Sequence, residues 1–235
     1  MTQEFDNYAK SYNNHLNKSL IRFGEYSEYF SEYKVRDLHY EAASRGISTQ
    51  RSLKLLDFGC GIGNSILYTK KYFPNSRIVG VDVSEESVRI AQSVHGRVAS
   101  FFVLDQNTLP ISGGEIDIAY AMCVFHHIEP ARHLDFLRRI CAILRPGGLF
   151  LLYEHNPFNP ITVQVVNNCP FDVNAKLVAA KAMASLCREA GFSHVNIKYR
   201  VFFPRVLSFL RVTEKLITWL PLGGQYYIVC SAPER

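Results

Sequence analysis

Short apolar runs alternate along this chain with longer stretches in which apolar residues recur every three or four positions. The runs Leu53–Phe58, Arg77–Val83, Ser100–Leu104, Glu115–Phe125 and Leu149–Tyr153 are short enough, and apolar enough, for strands buried on both faces. Between them, Asn64–Phe73, Glu85–His95 and Arg132–Leu144 have helical spacing, with Leu134, Leu137, Ile140, Cys141 and Leu144 on one face of the third. Strand–helix alternation of this kind predicts an α/β domain around a mostly parallel sheet. Residues 154–174 are rich in Pro and Asn and too long for a simple turn, so they are expected as an insertion over the active site. Beyond them the pattern predicts a helix over Asn174–Ala190 closed by Gly191, an edge strand over Phe192–Phe203, an apolar helix over 205–220 and a last strand over Gln225–Ser231. Residues 1–46 are polar and aromatic and read as a helical cap preceding a domain over 47–235.

The first strand breaks at Gly59, Gly61 and Gly63 before its helix begins. Glycine lets backbone N–H groups come close to a ligand, and the C-terminal edge of a parallel sheet is where open α/β domains bind nucleotides. Spacing decides which nucleotide. A G-x-G-x-x-G dinucleotide fingerprint fails, because its third glycine would fall at Asn64 or Ile66. A phosphate loop of the G-x-x-x-x-G-K type fails as well, since no lysine follows Gly63. Asp82 closes the second strand, where a carboxylate can accept hydrogen bonds from ribose hydroxyls. Ser84 is the better cap for the next helix, which leaves Asp82 for the ligand.

Composition narrows the picture modestly. The chain has 235 residues, 48% of them hydrophobic, which is enough for one full core. A formal charge of +5 without a dense basic stripe argues against a nucleic-acid partner. The six cysteines show no paired or zinc-like spacing, which points to a reduced, cytoplasmic setting. The first residues lack the apolar core of a signal peptide, and no run is long enough for a transmembrane helix, so a soluble protein is expected.

The acid and alternate glycines Asp57, Gly59, Gly61 and Gly63 resemble motif I of the class I S-adenosylmethionine (SAM) dependent methyltransferases. The Asp82 strand end, the Phe-x-x-x-Asp-x-x-x-Leu-Pro setting of Asp105, and the helix, Leu144-Arg145-Pro146-Gly147-Gly148 turn and strand are similar to that family's later motifs. The resemblance implies a Rossmann-like, seven-stranded sheet in the order 3-2-1-4-5-7-6 with strand 7 antiparallel. It implies SAM as the cofactor, held by Asp57, Gly59, Cys60, Gly61, Gly63, Asp82, Val83, Asp105, Gln106 and Cys123, with Asp105 at the adenine. The segment around Tyr8 and Tyr12 resembles the cap of small-molecule methyltransferases, where a tyrosine covers cofactor or substrate. Asn156 is assigned with these tyrosines to the acceptor side. The Glu154-His155-Asn156-Pro157 and Cys169-Pro170-Phe171-Asp172 segments look similar to a bacterial subgroup loosely tied to polysaccharide or secondary-metabolite pathways.

Methyl transfer to a small-molecule O or N atom follows as the expected activity, with a non-catalytic SAM-binding partner protein as the alternative. A neutral hydroxyl acceptor needs a base, worth roughly 10²–10⁴-fold. His126, His127, Glu154 and His155 stand at the cofactor-facing ends of the fourth and fifth strands and are the candidates, though adjacent histidines seldom face one cleft together. Nothing in their spacing matches a dedicated metal site, so no metal is assigned. Arg205, Arg211 and Lys215 flank Phe209, Leu210, Leu216, Ile217, Trp219 and Leu220, a composition suited to a dimer mate, a membrane surface or a lipid-like acceptor.

Overall fold

The apolar runs fold into strands and the periodic stretches into helices. The computed structural model describes Asp6, Ala9, residues 26–104, Leu109, residues 111–170 and residues 172–234. Tyr8, Tyr12, Asp105 and Gln106, each assigned a site role above, lie outside the described residues. In chain order the elements are α1 (Ser27–Ser44), β1 (Lys54–Phe58), α2 (Ile66–Tyr72), β2 (Arg77–Asp82), α3 (Glu85–His95) and β3 (Ala99–Val103). Then come β4 (Ile116–Met122), α4 (His133–Ile143), β5 (Leu144–His155), α5 (Pro160–Asn167), α6 (Ala180–Glu189), β6 (Ser193–Arg200) and β7 (Gln225–Ser231).

The described strands form one seven-stranded sheet in the order β3-β2-β1-β4-β5-β7-β6. The β3-to-β5 pairings are parallel, and β7 runs antiparallel to both β5 and β6. Side chains alternate across the pleat, so neighbouring apolar residues serve opposite cores. Leu56, Phe58, Ala119 and Phe150 pack with Phe136 and Ile140 of α4 and Met183 of α6. Leu55, Ile118 and Leu151 pack on the other face with Leu38 of α1, Ile66 of α2 and Val88 of α3. Each fully buried Leu or Ile contributes about 1.5–3 kcal/mol, which is why the central strands tolerate almost no polar residue.

α1 docks by a different rule. Besides Leu38 and Ala42 it buries Asp37 and Glu41. Arg200 of β6 donates to Asp37 from Nε at 2.9 Å and from a terminal nitrogen at 3.1 Å, and Tyr153 of β5 donates to the same carboxylate. Glu41 accepts from Tyr227 at 2.7 Å and from Lys198 at 2.6 Å. Buried acids paired across to the sheet replace part of the apolar stripe that a surface helix normally shows.

Three expectations change. The helix predicted from Asn174 begins only at Ala180, because the Lys176 N–H reaches across to the His126 carbonyl at 2.8 Å. The insertion over 154–174 contains α5, started by Asn159, whose side chain accepts from the Thr162 N–H. The apolar helix over 205–220 is instead a 3₁₀ stretch, Arg205–Leu216, broken at Leu207 with φ −110° and ψ 24°. One inward carboxylate holds that stretch: Glu214 accepts from Tyr33 and from the Phe202 N–H. Its Val206, Phe209, Val212 and Leu216 stay exposed, as does Trp219 beyond it. No described helix is long and apolar enough to cross a membrane.

Removing one partner of a buried ion pair strands the other charge, at about 3–5 kcal/mol. Arg200→Met is therefore expected to lower the unfolding free energy by about that much in urea titrations. Adding Asp37→Asn should recover part of the loss, and equal stabilities for single and double variants would refute the pairing.

Candidate active site

The exit of β1 is shaped by backbone demands. Gly59, Gly61 and Gly63 take φ values of +74°, +52° and +87°. A Cβ on Gly59 would stand 2.5 Å from the Val124 side chain, so that position admits only glycine. Gly61 differs: no described atom lies within 4 Å of where its Cβ would be. The Gly61 N–H donates to Asp82 at 2.8 Å, and the Ser84 N–H donates to the other oxygen at 2.9 Å. Burial raises the Asp82 pKa, and those backbone donors oppose the rise. Half-buried Val83 and the half-buried Asp82 carboxylate stand at the sheet edge beside this turn. Because β1 lies between β2 and β4, the turn occupies the switch point of the strand order.

Two further residues assigned to the cofactor are buried beside this turn. Asp57 is buried and accepts from Ser65, so its carboxylate braces the start of α2 beneath the turn. Burial lifts its pKa to about 7, against the hydrogen bonds from Ser65 and Tyr120. Cys60 is buried against Gly80, and burial pushes its thiol up.

The exits of β4 and β5 meet over Glu154. Its carboxylate accepts the Val124 N–H at 3.0 Å and the Phe125 N–H at 2.7 Å, and it pairs with His126 Nδ1 at 2.6 Å. Burial favours the neutral acid, but above all the His126 charge, then His155 and the Phe125 N–H, hold it at about 2. A carboxylate so engaged is no base at neutral pH. His126 is equally committed, with Nε2 lying 3.5 Å from Asp172. Burial disfavours its charge, yet Glu154 and Asp172 lift it to about 10. His127 presents Nε2 to Asp172 at 3.2 Å. Burial and the His126 charge lower its pKa, opposed by Asp172. The adjacent rings do share one cleft, against expectation, because the turn Phe125–His127 is 3₁₀ and brings their centroids to 4.1 Å. Asn156 is fully buried and clamps a loop, donating to the carbonyls of Pro221 at 3.1 Å and Gly223 at 2.8 Å. It thus braces that loop.

Beside this network Cys123 adopts φ +61°, a strained value for a residue with a side chain. Lys34 of α1 donates to its sulfur at 2.9 Å, and Gln225 Nε2 of β7 lies 3.6 Å from the sulfur and 3.4 Å from His155 Nδ1. Burial alone would raise the thiol, but Lys34 and then His155 draw it down to about 6. Among the described residues nothing reaches the buried Gln225 Oε1. Lys34, Gln225 and Asp172 carried no assigned role in the sequence; each comes from an element far along the chain, and only Asp172 lay in a quoted segment.

Residues 55–148 match the family described as "methyltransferase domain". Trans-aconitate 2-methyltransferase of Azoarcus sp. is 27% identical over 138 residues, covering 59% of this chain and 53% of that one. Fatty-acid O-methyltransferase of Mycolicibacterium smegmatis is 27% identical over 132 residues, 56% of this chain and 46% of that one. This chain thus spans about half the length of each. A SAM-dependent methyltransferase structure from Thermotoga maritima superposes with a TM-score of 0.68 at 16% identity, covering 98% of this chain and 99% of that one. At that identity the likeness speaks for the fold.

Thiolates, not thiols, react with iodoacetamide. Near neutral pH Cys123 is expected to be alkylated ahead of Cys141 and the four buried cysteines, with a rate that rises with pH around a midpoint of about 6. Lys34→Met should move that midpoint up toward the ordinary thiol value of about 8.5. Peptide mass spectrometry reads both, and labelling of Cys123 no faster than Cys141 would overturn the thiolate assignment.

Residues 55–148 thus match the methyltransferase-domain family, and the described strands follow the order that the resemblance implies.

Proposed function

We propose that this chain is a SAM-dependent methyltransferase acting on an O or N atom of a small molecule. The observation that carries the reading is the open side of Gly61 next to the Asp82 carboxylate at the switch point of the sheet. The glycine turn and Asp82 would hold SAM, with Asp82 accepting from the ribose hydroxyls. When bound, SAM supplies a methyl group on a positively charged sulfur, ready for attack by a lone pair.

The rest falls to the chain's own side chains. Gln225 Oε1, buried and without a donor among the described residues, would accept from an acceptor O–H or N–H. His155 stands beside it and would take the proton of a neutral hydroxyl. Glu154 and His126 hold the turn and leave that role to others. Residues 154–174 would wall the acceptor side. Relatives named for trans-aconitate and fatty acids support a small-molecule acceptor without specifying it.

A second reading, methylation of a lipid-like acceptor at a membrane surface, is favoured by one observation. Val206, Phe209, Val212, Leu216 and Trp219 are exposed on a segment that also carries Arg205 and Lys215. Co-sedimentation with anionic vesicles should be seen in that case, and should vanish in a Phe209→Ser/Trp219→Ser variant.

Calorimetry with S-adenosylhomocysteine tests the cofactor site. Hydrogen bonds to a charged group are worth about 1.5–3 kcal/mol, so Asp82→Ala should weaken binding by at least about tenfold. Gly61→Ala should weaken it too and, because φ +52° disfavours a side chain, lower stability by about 1–2 kcal/mol, whereas Gly59→Ala adds to that strain a clash with Val124. His155→Ala should cut turnover by about 10²–10⁴-fold with donor affinity unchanged. Well-folded protein that binds neither donor nor demethylated product would end the proposal, and binding without turnover on any acceptor would favour the non-catalytic alternative.

A further inference from the structure

Two histidines and one aspartate converge beside the turn that follows β4. One ring nitrogen each of His126 and His127 and an oxygen of Asp172 all lie within 4.8 Å of one another. Asp172 Oδ1 stands 3.5 Å from the first nitrogen and 3.2 Å from the second. Ligand atoms held at the usual metal–nitrogen and metal–oxygen distances in a tetrahedral site are roughly 3.3 Å apart. The measured spacings bracket that value.

Glu154 adds an independent feature. It pairs with His126 Nδ1 at 2.6 Å, which fixes Nε2 as the nitrogen facing Asp172. A carboxylate behind a ligating imidazole sets its tautomer and raises its basicity in metal sites. Glu154 is itself held by two backbone N–H groups, so the ring has one available orientation. The third ligand is carried on a fastened loop. The Asp172 N–H donates to Cys169 at 3.0 Å, and the Lys176 N–H donates to the His126 carbonyl at 2.8 Å, tying the insertion to the turn that bears both rings.

Two carboxylates, Glu154 and Asp172, are buried beside the two rings, a donor set whose charge a divalent cation offsets. His127 is only partly buried, so an exogenous ligand can approach from its side.

We propose that His126, His127 and Asp172 form a binding site for a first-row divalent cation, with Glu154 orienting His126 and at least one coordination position open. Two imidazoles and a carboxylate suit zinc, and equally iron or cobalt. A cation there would serve as a Lewis acid for an acceptor oxygen, a role that rests on the methyltransferase reading; the binding itself does not.

The full chain, stripped with a chelator and dialysed, is titrated with Zn²⁺ alone by calorimetry and with Co²⁺ alone by visible absorption. One equivalent and the d–d bands of low-symmetry cobalt are expected. Asp172→Asn and His127→Ala should each weaken binding at least tenfold, and Glu154→Gln by about 10–100-fold. Circular dichroism and S-adenosylhomocysteine calorimetry on the same samples show whether each variant is folded. Wild-type protein that takes up neither metal overturns the site, as do folded Asp172→Asn and His127→Ala variants that keep wild-type affinity, the mark of adventitious surface binding. Metal uptake without S-adenosylhomocysteine binding would leave the site standing and remove the methyltransferase reading; the reverse result does the opposite.

Discussion

Glu154 is the constraint from which the active-site end of the sheet follows. A buried carboxylate left unpaired costs several kcal/mol, so the chain around it must supply donors. It does so with the N–H groups of Val124 and Phe125 and with the His126 ring. Those three contacts bend the exit of β4 over the exit of β5. The bend then brings Val124 against Gly59, where no side chain fits. One ionised group at the end of β5 thereby sets the position of the glycine turn at the end of β1, two strands away.

A second set of buried charges fixes what faces that turn. Asp37 and Glu41 of α1 are matched by Arg200, Lys198, Tyr153 and Tyr227 from three strands, so α1 has one way to lie on the sheet. Four residues before Asp37's neighbour Leu38 comes Lys34, which the docking brings to the Cys123 sulfur. Cys123 can hold its strained φ because its N–H is fastened to the Tyr153 carbonyl at 2.8 Å, and Tyr153 is itself tied to Asp37. The helix, the strand and the strained residue form one connected unit. Its charges are paired for position, and the lowered thiol is a consequence of where Lys34 arrives.

The sheet order came only from the family resemblance, whereas the Glu85–His95 helix and the Gln225–Ser231 strand were legible because they rest on local periodicity. The Ser84 cap was legible for the same reason, and its side chain accepts from the Ser87 N–H. What stayed hidden depended on partners elsewhere in the chain. Asp57 reads like a ligand residue, and one of its oxygens accepts from Ser65, eight residues on. Glu154 and His126 read as two candidate bases and are one ion pair. Residues 205–216 have a helical apolar pattern, but Glu214 turns inward to Tyr33, a contact no window of sequence contains. Asp172 had no visible role because its partners lie some 45 residues back, across a turn whose 3₁₀ geometry is not written in His-His.

These outcomes share a physical origin. The donor end of the cleft is made of backbone: N–H groups, positive φ values and one carboxylate held by two of those N–H groups. Backbone requirements leave few acceptable residues, so they surface as a pattern. The acceptor end is made of side chains brought by α1, the turn after β4, the exit of β5, the 154–174 insertion and β7. Lys34, Gln225 and Asp172 share no hydrogen bond with Gly61 or Asp82 among the described residues, so exchanging them need not disturb the glycine turn, whereas Glu154 holds it through Val124. A fold arranged in this way keeps one half constant while the other varies. On the proposed reading, acceptor identity would be carried by His155, Gln225 and the side chains around them, and not by the glycine turn.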